Sequence, residues 1–132
     1  MRVVLDTNVL LAAFATHGLC EAVLEQALAS HQLVLSEHIL DEVGRHLAGK
    51  FRMPATQARE IVGFLREQAE VVEPAHVRPG TVKDSTDLPV LGTAAAGACD
   101  LLVTGDAEIL RLREFEGIPI VSPRECYERF AR

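Results

Sequence analysis

Short apolar runs alternate with helix-periodic stretches along the chain. Val3-Val4-Leu5 is a continuous apolar run that stops at Asp6, the pattern of a strand buried on both faces. A helical stretch over about 9–14 follows, Gly18 breaks it, and residues 20–29 resume helical periodicity. Leu33-Val34-Leu35 repeats the short apolar run. Ser36 then caps a helix whose apolar face is Ile39, Leu40, Val43 and Leu47. Pro54 sits near the start of a further helix, with Ile61, Val62, Leu65 and Ala69 as its stripe. Val71-Val72 is a third strand candidate. Residues 73–86 hold Pro74, Pro79 and Gly80 and read as a connector. Asp87 to Ala98 is helical, with Pro89 tolerated in the first turn. Leu101-Leu102-Val103 is a strand ending in Thr104-Gly105-Asp106, and a short helix follows. Residues 118–121 form the last strand, where Pro119 marks an edge or a frayed start. Ser122-Pro123 opens a final helix. Strands alternating with helices predict an α/β fold: a three-layer α/β/α sandwich around a mostly parallel sheet of four to five strands.

Composition narrows the picture. The 132 residues suit a single domain spanning 1–132, and 48% hydrophobic content argues against disorder. No apolar run reaches membrane-spanning length, and Asp6 interrupts any signal-like segment at the start, so a cytoplasmic protein with no membrane is expected. Cys20, Cys99 and Cys126 are odd in number and widely spaced, which suits buried thiols better than disulfides. The histidines lack zinc spacing. The net charge of −6 argues against a generic cationic nucleic-acid binder.

The acids change that last inference. Asp6 and Asp106 end two strands that would project from one edge of a parallel sheet, where open α/β sheets bind ligands. Each also has the plainer role of helix cap. On the helix after Ser36, Asp41 points about 145° from the apolar centre and Glu42 about 115°, so Glu42 is better placed to reach over the sheet edge. Asp87 falls within about 10° of the core face of its helix. The helix dipole accounts for an acid in that first turn, but not for its inward direction. Asp84, three residues earlier, is either a supporting partner or solvated. Four converging carboxylates would repel by roughly 4 kcal/mol per pair at 4 Å and an effective dielectric of 20. Either some stay protonated or a divalent cation neutralises them. Oxygen donors without Cys or His point to Mg²⁺ or Mn²⁺, and to metal-assisted phosphodiester hydrolysis.

Leu5-Asp6-Thr7-Asn8-Val9-Leu10 resembles the opening of PIN-domain ribonucleases. The stretch from Val34 through Ser36 to Glu42 resembles the family's second acidic motif. Asp84-x-x-Asp87, Val90-Leu91, Ala94-Ala95, Asp100 and Val103-Thr104-Gly105-Asp106 continue the likeness in order. The resemblance spans the chain and is nearest to VapC-like toxin components of toxin–antitoxin systems. It implies that Asp6, Glu42, Asp87 and Asp106 are the catalytic, metal-binding quartet, supported by Asn8 and Thr104. It implies an Mg²⁺- or Mn²⁺-dependent endoribonuclease for single-stranded RNA, often dimeric and silenced by a small antitoxin protein. Leu88 departs from the family, where a polar residue commonly follows the third acid.

Cations near the acids are candidates for gripping RNA phosphates: Arg45, His46, Lys50 and Arg52 after Glu42, Lys83 before Asp87, and Arg111 and Arg113 after Asp106. The same cations would also serve a solvated helix end. Two other function classes stay open. An aspartyl-phosphate phosphatase would also end its first strand in Asp, but it typically has a second Asp where this chain has Asn8. A PIN-like module without turnover would bind RNA or a partner and cleave nothing.

Overall fold

Asp6, Ser36, Asp106 and Ser122 each follow a strand and cap a helix, and that repeated unit builds the molecule. The computed structural model describes all residues, Met1–Arg132. Strand β1 (Arg2–Leu5) leads into α1 (Thr7–Ala15) and α2 (Leu19–Ser30). Then come β2 (Gln32–Leu35), α3 (Glu37–Ala48), α4 (Ala55–Gln68) and β3 (Glu70–Val71). After the connector, a 3₁₀ turn (Ser85–Asp87) enters α5 (Leu88–Ala96), followed by β4 (Leu101–Val103) and α6 (Ala107–Arg111). Strands β5 (Glu114–Phe115) and β6 (Ile118–Val121) and helix α7 (Pro123–Phe130) complete the chain.

The sheet order is β3-β2-β1-β4-β6-β5, with β5 alone antiparallel. Right-handed crossovers place α1–α4 on one face, because β1, β2 and β3 step one way. The return from β3 to β4 places α5 on the other, where it packs against β1, β2 and β4. Strand order therefore reverses between β1 and β4, and the crevice at their carboxyl ends is the switch point. Apolar residues of β1, β2 and β4 are fully buried at the centre of one core cluster.

The sheet has six strands where four to five were expected, because β5 has no apolar run to announce it. It exists by pairing with β6: Glu114 faces Pro119 and Phe115 faces Ile118. Pro119 is accordingly not on an edge. The ladder bond to this neighbour comes from the Ile120 N–H, which donates to the Arg113 carbonyl at 2.8 Å, so proline's missing donor is not needed there. Helix α5 is also shorter than the expected 87–98. Asp87 belongs to the 3₁₀ turn, and Ala98 adopts φ 47° to end the helix. Gly97 keeps an ordinary φ, but a Cβ there would lie 2.5 Å from Val34 Cγ1, so this glycine lets α5 approach β2.

The three cysteines are free, and burial pushes the Cys99 and Cys126 thiols up to about 11. No single helix is long and apolar enough to cross a membrane.

Candidate active site

The local fold fixes Asp6 first. It is 4% exposed at the end of β1, and its backbone N–H donates to the Val103 carbonyl of β4 at 2.9 Å. Its carboxylate accepts from the Thr7 N–H at 2.7 Å and from the Thr104 hydroxyl at 2.7 Å. Burial raises its pKa above the ordinary value of 3.8; those two bonds oppose the rise, and the Glu42 and Asp106 charges add to it.

Asp106 follows β4 at the neighbouring position. Its Oδ1 caps α6 by accepting from the Glu108 and Ile109 N–H groups at 2.8 and 3.1 Å. Its own N–H donates to Thr104 Oγ1 at 3.0 Å. Thr104 is fully buried and so links both strand-end acids.

Glu42 reaches the same edge from α3. The Thr7 hydroxyl donates to its Oε1 at 2.8 Å, and His38 Nε2 lies 3.3 Å from the same oxygen. Asp41, one residue earlier, is exposed. Ser36, the cap of α3, is buried and accepts from the Thr93 hydroxyl of α5 at 2.8 Å. That bond ties the start of the Glu42 helix to the opposite layer.

Asp87 comes in from the 3₁₀ turn. Its pKa is pushed up to about 6, first by desolvation and then by the charges of Asp84, Asp106, Asp6 and Glu42. All four other carboxylates therefore act on it. Asp84 is exposed and accepts from the Thr86 N–H and hydroxyl at 2.9 and 2.7 Å, which holds its carboxyl below the usual range.

The structure thus brings Asp6, Glu42, Asp87 and Asp106 to one edge. Thr104 sits between two of them, and Asp84 holds the turn. Asn8 is exposed on the first turn of α1, two residues past Asp6. Lys83 lies near the edge, its N–H donating to Glu108 Oε1 at 2.6 Å. Arg45 stays within one turn of Glu42. Lys50 follows the Gly49 cap, just past the end of α3. Arg52 lies two residues further along, in the loop between α3 and α4. Sequence reasoning missed Thr7 and His38 as supports of Glu42. The His38–Glu42 spacing of i, i+4 was the available signal; no local signal pointed to Thr7.

Asp106 Oδ2, Glu42 Oε2 and both Asp87 oxygens take no protein donor. Free carboxylate oxygens at a point of mutual repulsion fit a hard divalent cation in donor type and in charge. As the side chains stand, no three of them form a closed coordination group. The largest concavity, about 500 Å³, adjoins the acid edge rather than enclosing it, with His38, Pro74, His76, Pro79, Leu88 and Pro89 in its wall.

Fold and site together define a doubly wound α/β protein with a carboxylate-rich site at its switch point. A family model described as the PIN domain matches residues 2–108, a span holding all four acids, and the chain belongs to the PIN-domain family. It is similar in fold to a chain of VapBC2 from Rickettsia felis, solved bound to a DNA fragment from their promoter. That match has a TM-score of 0.67 at 15% identity and covers 92% of this chain and 98% of the other. No curated protein matches the chain.

Proposed function

We propose that this protein is a metal-dependent endoribonuclease that hydrolyses phosphodiester bonds of single-stranded RNA. The observation that carries the reading is the meeting of Asp6, Glu42, Asp87 and Asp106 at the β1/β4 switch point, with Asp87 raised by burial and then by the charges of the other acids. Asp6, Glu42, Asp87 and Asp106 would hold Mg²⁺ or Mn²⁺. When bound, such an ion supplies a water of lowered pKa and charge stabilisation at a phosphoryl oxygen.

The chain's own residues perform the rest. Thr7 and Thr104 fix Glu42 and Asp6 in place, so the carboxylates need little reordering. The Asp106 cap on α6 holds that carboxylate at the strand end. Lys83 and Arg45, near the edge, attract phosphate, and Lys50 and Arg52 after α3 add to the positive charge that RNA meets. Attack in line on phosphorus would leave 5′-phosphate and 3′-hydroxyl ends.

The proposal extends to the setting. The likeness to a VapBC2 chain supports a toxin role with a small antitoxin protein as partner, and the proposal sets that role in the cytoplasm. It includes a homodimer: α4 buries only Ala58 and Leu65 and leaves Phe64 43% exposed.

One observation favours a second reading, a PIN-like module that binds RNA or a partner without turnover: the acids do not stand as a closed metal cage. An end-labelled single-stranded RNA separates the two. Cleavage with Mg²⁺ or Mn²⁺ that stops in EDTA supports the nuclease. RNA retention without cleavage under either ion supports the module. A trapped aspartyl-phosphate with small phosphomonoesters would favour the phosphatase chemistry instead.

A further inference from the structure

His38 occupies the second position of α3, in the turn before Glu42. Its Nε2 lies 3.1 Å from the Thr86 carbonyl oxygen and 3.3 Å from Glu42 Oε1. A backbone carbonyl only accepts, and so does an ionised carboxylate. Nε2 therefore carries the proton, and one N–H is shared between two acceptors. Those acceptors belong to different elements. Glu42 comes from the helix after β2, and Thr86 from the turn that presents Asp87. No other side chain hydrogen bond or ion pair crosses between α3 and the 84–87 turn. The imidazole is half-buried, at 29% side-chain exposure, and Glu42 is at 17%. Its Nδ1 has no protein partner, and the ring forms part of the wall of the adjoining concavity.

We propose that His38 is a positioning residue that straps the Glu42 helix to the Asp87 turn, so that the two acids are placed relative to each other by one N–H. Unstrapped, the exposed 84–87 turn keeps its own local bonds and, one residue before it, the Lys83 N–H bond to Glu108, none of which reaches α3. Strapped, its position follows that of α3. The inference deepens the nuclease reading and rests on it for its link to metal binding, but the strap itself is testable without metal.

Three variants separate the strap from simple packing. His38→Ala removes ring and donor. His38→Phe keeps a ring without a donor. His38→Gln restores an N–H donor without the ring. With the metal-free protein, amide exchange is followed at Asp87 and Leu88. Exchange there about fivefold faster in His38→Ala and His38→Phe, the size expected for one lost hydrogen bond, and near wild type in His38→Gln, supports the strap. Unchanged exchange in all three, or equal acceleration in all three, overturns it. Mn²⁺ titration of the same proteins then tests the link to the acids. An affinity about tenfold weaker in Ala and Phe, and recovered in Gln, is the expected result. Equal Mn²⁺ affinity in all variants overturns the link. Absence of Mn²⁺ binding in the wild type overturns the metal reading and the link, while exchange still decides the strap.

Discussion

The Thr104 hydroxyl donates to Asp6 Oδ2 at 2.7 Å, inside a pocket where both residues are almost wholly removed from solvent. Thr104 Oγ1 in turn accepts the Asp106 N–H at 3.0 Å. One side chain thereby offsets part of the cost of burying the first acid and positions the backbone of the fourth.

Thr104→Val keeps the shape and removes the hydroxyl. It should destabilise the protein by about 1–3 kcal/mol, as expected when a buried charge loses a donor. The Thr104 bond lowers the Asp6 pKa against the rise from burial, so its loss raises that pKa further. A carboxyl with a raised folded pKa stabilises at low pH and loses that contribution as pH rises through it. The penalty of Thr104→Val should therefore be larger at pH 7 than at pH 4. Denaturant unfolding at the two pH values checks this, with Thr104→Ser near wild type at both.

Asp87 carries the same sign more strongly. Its pKa rises from 3.8 to about 6 in the folded protein, so its ionisation works against folding as pH climbs through that window. Relative to wild type, metal-free Asp87→Asn should gain thermal stability between pH 4 and pH 7. Melting curves in EDTA measure the difference, and parallel curves would remove Asp87 from the repelling cluster.

Thr7 and Glu42 form a pair across α1 and α3 at 2.8 Å. A double-mutant cycle with Thr7→Val and Glu42→Met, each of which removes one partner of the bond, should give a coupling of about 1 kcal/mol in unfolding free energy. Additive effects would show that the bond contributes nothing net.

The seat of the connector depends on Gly92. A Cβ there would lie 2.3 Å from the Ala75 carbonyl oxygen, and the Ala75 N–H donates to the Gly92 carbonyl at 3.0 Å. Gly92→Ala should cost about 1–3 kcal/mol through backbone displacement. Gly105→Ala, with open space around its Cβ, should stay within about 0.5 kcal/mol. Thermal unfolding of the two variants side by side provides the comparison.

Much of this was readable from the chain. Val3–Leu5, Leu33–Leu35 and Leu101–Val103 are apolar enough to declare strands, and their terminal polar residues declare the caps. Helical angles alone distinguish Glu42 from Asp41. Strand β5 was not readable, because its two residues pair only through the tertiary placement of β6. Neither was the end of α5: glycine at 97 serves a close approach to Val34, and the left-handed cap falls to Ala98. The support of Glu42 by Thr7 joins residues 35 positions apart, which no local period encodes.

The central claim is that the four acids at the switch point act together as one hydrolytic centre. The most direct measurement is the cleavage rate of a labelled single-stranded RNA by Asp6→Asn, Glu42→Gln, Asp87→Asn and Asp106→Asn, each with folding confirmed, beside the exposed control Asp41→Asn. The account predicts that each of the four loses about 100-fold or more in rate while Asp41→Asn keeps the wild-type rate. Wild-type cleavage retained in any folded member of the four would contradict it.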